Sequence, residues 1–145
     1  MYSEKSRILC IDNDPSIYDW INAALQNAKV NCDVSMAGTG REALQLLSKQ
    51  AFDLCILDYA LPDMTGVQLC TMMRRNGHDV PVMFFTAMDR AIDRERAAEA
   101  GANEYLCKPD DMDIFVDVAA HLMQMRRVVY SYPKRFSNFS LNASV

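Results

Sequence analysis

The sequence predicts a doubly wound α/β fold, a five-stranded parallel sheet with helices on both faces. Short apolar runs alternate with longer amphipathic segments, and five such strand–helix units can be counted along the chain. Two of the runs, Leu54 to Leu57 and Val80 to Phe85, are apolar throughout, as strands covered on both faces must be. The chain has 145 residues, the size of one domain that buries about 68% of its unfolded surface and needs no staple.

The first strand is Arg7 to Ile11. Asp14-Pro15 then supplies an N-cap and an N1 proline for a helix with Ile17, Trp20, Ile21, Leu25 and Ala28 on one face. Cys32, Val34 and Met36 alternate with polar residues, which places the second strand nearer a sheet edge. Thr39-Gly40-Arg41-Glu42 reads as a capping box, and Leu44 and Leu47 give the second helix its stripe. Leu54 to Leu57 is a central strand ending abruptly at Asp58. A loop with Leu61-Pro62-Asp63 and Gly66 leads to a third helix through Val67, Leu69, Cys70 and Met73, stopped by Asn76-Gly77. Val80 to Phe85 is the fourth strand and ends at Thr86. The fourth helix, about Asp89 to Ala100, has little beyond Ile92 to bury and is expected to pack weakly. Tyr105-Leu106-Cys107 closes the fifth strand before Lys108-Pro109. The last helix begins near Asp110, buries Ile114, Phe115, Val118 and Leu122, and ends at Arg126-Arg127, with acids first and bases last to suit its dipole.

Composition narrows the function. The longest uncharged apolar runs are a handful of residues, so no transmembrane helix is expected, and the polar start lacks a signal peptide's apolar stretch; a cytoplasmic protein is the expectation. Five cysteines, Cys10, Cys32, Cys55, Cys70 and Cys107, are an odd number without CxxC spacing, and are read as reduced thiols. The first 125 residues carry 11 basic and 19 acidic groups, a net charge of −8, while the last 20 carry +4. An acidic body disfavours nucleic-acid binding by the globule itself. Residues 126–145, with Tyr130, Tyr132, Phe136 and Phe139 among Ser, Asn and basic residues, read as a tail or linker. His78 and His121 are isolated and suggest no metal site or relay. Met72, Met73, Met123 and Met125 read as core or surface filler.

Right-handed crossovers force the strands to run parallel, so their C-terminal ends share one edge, where open α/β sheets bind ligands. The polar residues at those ends are Asp12 and Asn13, Asp58, Thr86 and Lys108. Two carboxylates brought together repel, so the set calls for a hard divalent cation, for the lysine ammonium, or for both. With a hydroxyl added, these are the parts that hold a phosphoryl group in transfer.

The chain here resembles the receiver domain of two-component response regulators. The likeness covers about residues 6 to 125. It is carried by Ile8 to Pro15, by Leu57 to Gly66 with its Asp-x-x-Leu-Pro-Asp pattern, by Pro81 to Ala87, and by Gly101 to Pro109. The resemblance implies the flavodoxin-like strand order 2-1-3-4-5. It implies that Asp58 is the phosphoacceptor, that Asp12, Asn13, Asp58 and the backbone carbonyl of Ala60 hold Mg²⁺ or Mn²⁺, and that Thr86 and Lys108 contact the phosphoryl oxygens. It further implies a switch through Thr86 and Tyr105, a cis bond before Pro109, and a sensor histidine kinase or histidine phosphotransfer protein as donor. An output domain or partner would be controlled through the face of the fourth and fifth helices, which could also form a homodimer.

Asn13 departs from the family, which usually has Asp there. A neutral amide is a poorer Mg²⁺ ligand than a carboxylate, so weaker metal affinity is expected; a tolerated variant or turn residue is the plainer reading. Ala60 and Met88 stand where family members tune acyl-phosphate hydrolysis, and neither can activate a water, which implies a long-lived phosphoryl state. Asp14 and Asp63 read as cap and turn residues rather than ligands. Two rivals remain: a pseudo-receiver that binds proteins without phosphorylation, and a Mg²⁺-dependent phosphatase or flavodoxin-like cofactor protein. No general acid adjoins Asp58 and no glycine-rich phosphate loop appears, which disfavours the second.

Overall fold

A computed structural model describes residues 5–131, with side chains as far as Arg126. Five βα units follow in order: β1 (Ser6–Ile11), α1 (Pro15–Asn27), β2 (Cys32–Ala37), α2 (Gly40–Lys49), β3 (Leu54–Leu57), α3 (Gly66–Arg75), β4 (Val82–Thr86), α4 (Ala91–Glu99), β5 (Glu104–Cys107) and α5 (Phe115–Ser131). All strand pairs are parallel, in the order β2-β1-β3-β4-β5. The sheet is the expected doubly wound one, with β2 at an edge.

Alternation along the strands builds two cores. Ile8 and Cys10 of β1 point to a layer made by Ile21 and Leu25 of α1 and Phe115, Ala119 and Leu122 of α5. Leu9 and Ile11 point the other way, to Ala43 and Leu47 of α2, Leu69, Cys70 and Met73 of α3, and Ala97 of α4. Each fully buried Leu, Ile or Phe contributes about 1.5–3 kcal/mol of transfer free energy. Every residue of β3 and β4 is buried, as their unbroken apolar runs require.

Local chemistry sets the helix starts. Asp14 caps α1 by accepting from the Ser16 N–H, with Pro15 at N1. Thr39 caps α2 by accepting from the Glu42 N–H, but the Glu42 side chain takes the Thr39 hydroxyl instead of reaching back to the backbone, so the expected box is half made. The full box sits on α3, where Thr65 and Gln68 satisfy each other's N–H.

Five local expectations are corrected. Ala28 is the exposed C-cap residue of α1, one position beyond its buried face. Ile92 is 40% exposed, and α4 buries Asp93 and Ala97 instead, because the helix turns its small residue and a paired carboxylate toward the sheet. Ile114 is 41% exposed, and the segment from Met112 to Ile114 is a 3-10 turn, so α5 starts at Phe115 rather than near Asp110. The Asp111 carboxylate is occupied in accepting from the Cys107 N–H, which turns the chain before the helix begins. At its far end α5 runs on to Ser131, past Arg126-Arg127. Most of the expected 126–145 tail lies outside the described residues.

Candidate functional site at the C-terminal sheet edge

Register brings the polar strand-end residues together. Ile11 pairs with Leu57, Leu57 with Phe84, and Thr86 with Cys107, so Asp12, Asp58, Thr86 and Lys108 leave the sheet side by side. The Asp58 N–H donates to the Ile11 carbonyl at 3.0 Å, and the Lys108 N–H donates to the Thr86 carbonyl at 2.8 Å. These backbone bonds extend the ladder just far enough to fix where each side chain emerges.

Asp12 is buried; its Oδ1 accepts from the Asp14 N–H at 2.9 Å and its Oδ2 from the Lys108 Nζ at 3.2 Å. The Lys108 ammonium also lies 5.5 Å from the Phe85 ring centroid, a cation–π contact that steers it toward the acids. Asp58 is half-buried and its Oδ1 accepts from the Tyr59 N–H at 2.8 Å. Burial pushes its carboxyl above the usual carboxylate range, and the neighbouring Asp12 charge pushes the same way. The Thr86 hydroxyl, the Lys108 ammonium and the Tyr59 N–H oppose the rise without cancelling it. Thr86 is buried, and its hydroxyl accepts from the Met88 N–H at 3.3 Å.

The loop after β3 is held on three sides. Ala60 bridges to Thr65, and Gly66 donates its N–H to the Tyr59 carbonyl at 2.6 Å. A Cβ on Gly66 would collide with the Asp58 carbonyl and lie 2.9 Å from the Phe84 ring, so only glycine lets α3 start this close to Asp58. Asp63 reaches across to α2, accepting from the Gly40 and Arg41 N–H groups at 2.9 and 3.0 Å. It is a turn residue as expected, and also a clamp between two loops. Tyr105 stacks on Phe84 at 5.4 Å and 14°, and its hydroxyl donates to the Met88 carbonyl at 2.6 Å. The Lys108–Pro109 bond is cis.

The donors present suit a hard cation. Asp12 and Asp58 offer carboxylate oxygens, Ala60 a carbonyl, and the exposed Asn13 an amide oxygen, all oxygen chemistry of the kind Mg²⁺ takes. The raised Asp58 carboxyl marks uncompensated negative charge at the same place. Among the described residues no three His, Cys, Asp or Glu side chains group as a metal cluster. His78 and His121 lie on α3's exit loop and on α5, away from this edge. The cysteines Cys10, Cys55 and Cys70 have thiols pushed up first by burial, Cys10 and Cys55 to about 12, so they remain uncharged.

Sequence reasoning missed two contributors: the Asp63 clamp, and Asp93, buried beneath Arg90 in the first turn of α4. For Asp63 the Leu-Pro-Asp turn was visible but its distant partners were not. For Asp93 no signal existed, because an acid in an Arg- and Glu-rich helix reads as solvated.

The strand order β2-β1-β3-β4-β5 with helices on both faces is the fold of CheY-like α/β domains. The chain belongs to the response regulator receiver domain family, which matches residues 8–120. It is similar to the heme response regulator HssR of Staphylococcus aureus, with 31% identity over 136 residues that cover 94% of this chain and 59% of the relative. The chain thus spans about three-fifths of the length of the curated relatives it matches. Among solved structures it resembles the BeF3-activated DrrB receiver domain of Thermotoga maritima, with a TM-score of 0.73 and 25% identity, covering 83% of this chain and 99% of that one. A CheY-like receiver domain from Methanospirillum hungatei superposes with a TM-score of 0.77 at 23% identity, covering 86% and 98%. Among the described residues no helix is long and apolar enough to cross a membrane.

Proposed function

We propose that the chain is a phosphorylation switch in which Asp58 accepts a phosphoryl group. The observation that carries this reading is the pair of adjacent carboxylates at the sheet edge, with Lys108 bonded to Asp12 and Asp58 left above its usual range. One Asp58 oxygen is engaged by the Tyr59 N–H, leaving the other to attack. It bonds to phosphorus as the phosphorus–nitrogen bond of a donor phosphohistidine breaks, and the electron pair stays with the leaving imidazole. The donor is a sensor histidine kinase or a histidine phosphotransfer protein. Lys108 and the Thr86 hydroxyl take up the phosphoryl oxygens.

Asp12, Asp58, the Ala60 carbonyl and Asn13 would hold Mg²⁺ or Mn²⁺. When bound, that ion supplies neutralisation of phosphoryl charge. The group then attached to Asp58 carries extra negative charge and strong acceptor oxygens. Thr86 and Tyr105 share the loop to α4, so a change at Asp58 is passed to the α4 and α5 face, where an output domain, a partner or a second copy would dock. Residues 1–125 form this receiver and 126–145 link it onward; the cytoplasm is the compartment where such a donor acts.

Intact mass after treatment with acetyl phosphate and Mg²⁺ tests the reading. One added phosphoryl group in the native chain, absent in Asp58→Asn, is expected. An unchanged mass would leave a phosphorylation-independent binding module, the reading that Asn13 favours.

A further inference from the structure

Arg94 is an exposed residue of α4, yet its guanidinium is engaged on β5. Nη1 donates to the Tyr105 carbonyl at 3.3 Å and Nη2 to the Cys107 sulfur at 3.0 Å. The same group lies over the Tyr105 ring, with Cζ 5.0 Å from the centroid, close enough for the cation to be attracted by the ring face. The two donors straddle Leu106 and stop one residue short of Lys108.

Tyr105 is thereby held at its hydroxyl, its ring and its carbonyl. The hydroxyl donates to the Met88 carbonyl at 2.6 Å, and the ring stacks on Phe84 at 5.4 Å and 14°. Phe84 is fully buried and Arg94 is exposed, so the half-buried Tyr105 ring has the core beneath it and the guanidinium as its cover. A planar guanidinium can stack and donate at the same time, which an ammonium cannot. The helix that carries Arg94 has little apolar packing of its own. It buries Asp93 and Ala97, and Asp93 is paired with Arg90 on the same helix. Contacts through Arg94 therefore weigh heavily in how α4 sits on β5.

We propose that Arg94 is a positioning residue that clamps Tyr105 between α4 and Phe84, so that the end of β5 leading to Lys108 and the helix α4 move as one unit when the state of Asp58 changes. The clamp goes beyond the switch through Thr86 and Tyr105, and its part in signalling rests on Asp58 as the phosphoacceptor. Without the guanidinium, Tyr105 keeps Phe84 and Met88 but loses its cover and its tie to α4. A shift of Lys108 toward a group on Asp58 is then no longer delivered to the helix.

Two measurements test the clamp. The first, in the free protein, follows the nuclear Overhauser effect between the Tyr105 and Phe84 rings. It should fall about twofold or more in Arg94→Gln. Arg94→Lys should lie between, because it keeps a cation for the ring but cannot span the carbonyl and the sulfur. The second follows amide chemical shifts in the ¹⁵N-labelled chain with Mg²⁺ as beryllofluoride is added. In the native chain, residues 95–97 should shift together with Thr86 and Lys108. Arg94→Gln should keep the Thr86 and Lys108 responses and roughly halve that of residues 95–97. In a Tyr105→Leu background the same substitution should have roughly half its native effect or less, since the ring is the shared partner. An unchanged ring contact in Arg94→Gln would overturn the proposal, as would a native-sized response at residues 95–97 or fully additive losses in the double variant. If the native chain shows no response at Thr86 and Lys108, the phosphoacceptor reading fails and the coupling with it, while the ring contact still decides whether Arg94 holds Tyr105.

Discussion

Single side chains decide how the acid cluster behaves. Asn13, next to Asp12 in the chain, carries an amide rather than a carboxylate, and a charged oxygen binds Mg²⁺ more strongly than a neutral one. Asn13→Asp should therefore tighten Mg²⁺ binding by about tenfold, or about 1.4 kcal/mol. Trp20, packed 5.7 Å from the Phe85 ring that underlies Lys108, is the fluorescent reporter; equal affinities in both proteins would sink the idea. Asp63 offers a test in pH. Its carboxyl is held below the usual range, first by the Gly40 N–H and then by the Arg41 N–H and charge. The native value is depressed, so its stabilising effect is complete above the unfolded value of about 4 and is lost as pH falls through the native one. Asp63→Asn should lower Tm at neutral pH, with the difference closing in acid. A difference that stays constant from neutral to acid would show that the clamp is not made by charge.

Whole elements hang together through contacts that periodicity does not encode. Arg74, in the last turn of α3, donates to the carbonyls of His78, Val80 and Gly101 at 2.7–3.2 Å, joining the loop before β4 to the turn between α4 and β5. Its truncation strands three acceptors, so Arg74→Ala should cost about 3 kcal/mol in urea denaturation. A cost under about 1 kcal/mol would mean that water replaces the guanidinium freely. Arg74→Lys should recover little, because one ammonium cannot span the three sites. The strands and helices themselves were legible, since β3 and β4 are uniformly apolar and Asp14-Pro15 carries its own cap chemistry. What misled was α4 and the start of α5. Ile92 looked like the buried residue only because a carboxylate was assumed to be solvated, and the acids before Phe115 looked like a helical first turn while Asp111 was tied to Cys107.

At the scale of the whole molecule, the sheet edge gathers charge that the fold alone does not neutralise. The strand-end residues were legible because parallel topology sends every polar terminus to one edge, whereas the burial of Asp93 beneath Arg90 depends on how α4 rotates, which sequence does not record. Asp12 is answered by Lys108, but Asp58 stays above its usual range despite Thr86, Lys108 and the Tyr59 N–H. A cation that binds the native edge and not the unfolded chain must stabilise the protein by mass action. At a hundredfold excess over its dissociation constant the gain is about 2.7 kcal/mol, which for a domain of this size raises Tm by about 8 °C. Scanning calorimetry across millimolar Mg²⁺ should show that rise in the native chain and a much smaller one in Asp58→Asn. Monovalent salt at matched ionic strength should not reproduce it, because screening acts on exposed charges while the coordinating oxygens need a hard divalent ion. A Tm that is indifferent to Mg²⁺, or that rises equally in Asp58→Asn, would mean that the edge relies on Lys108 alone as its counterion.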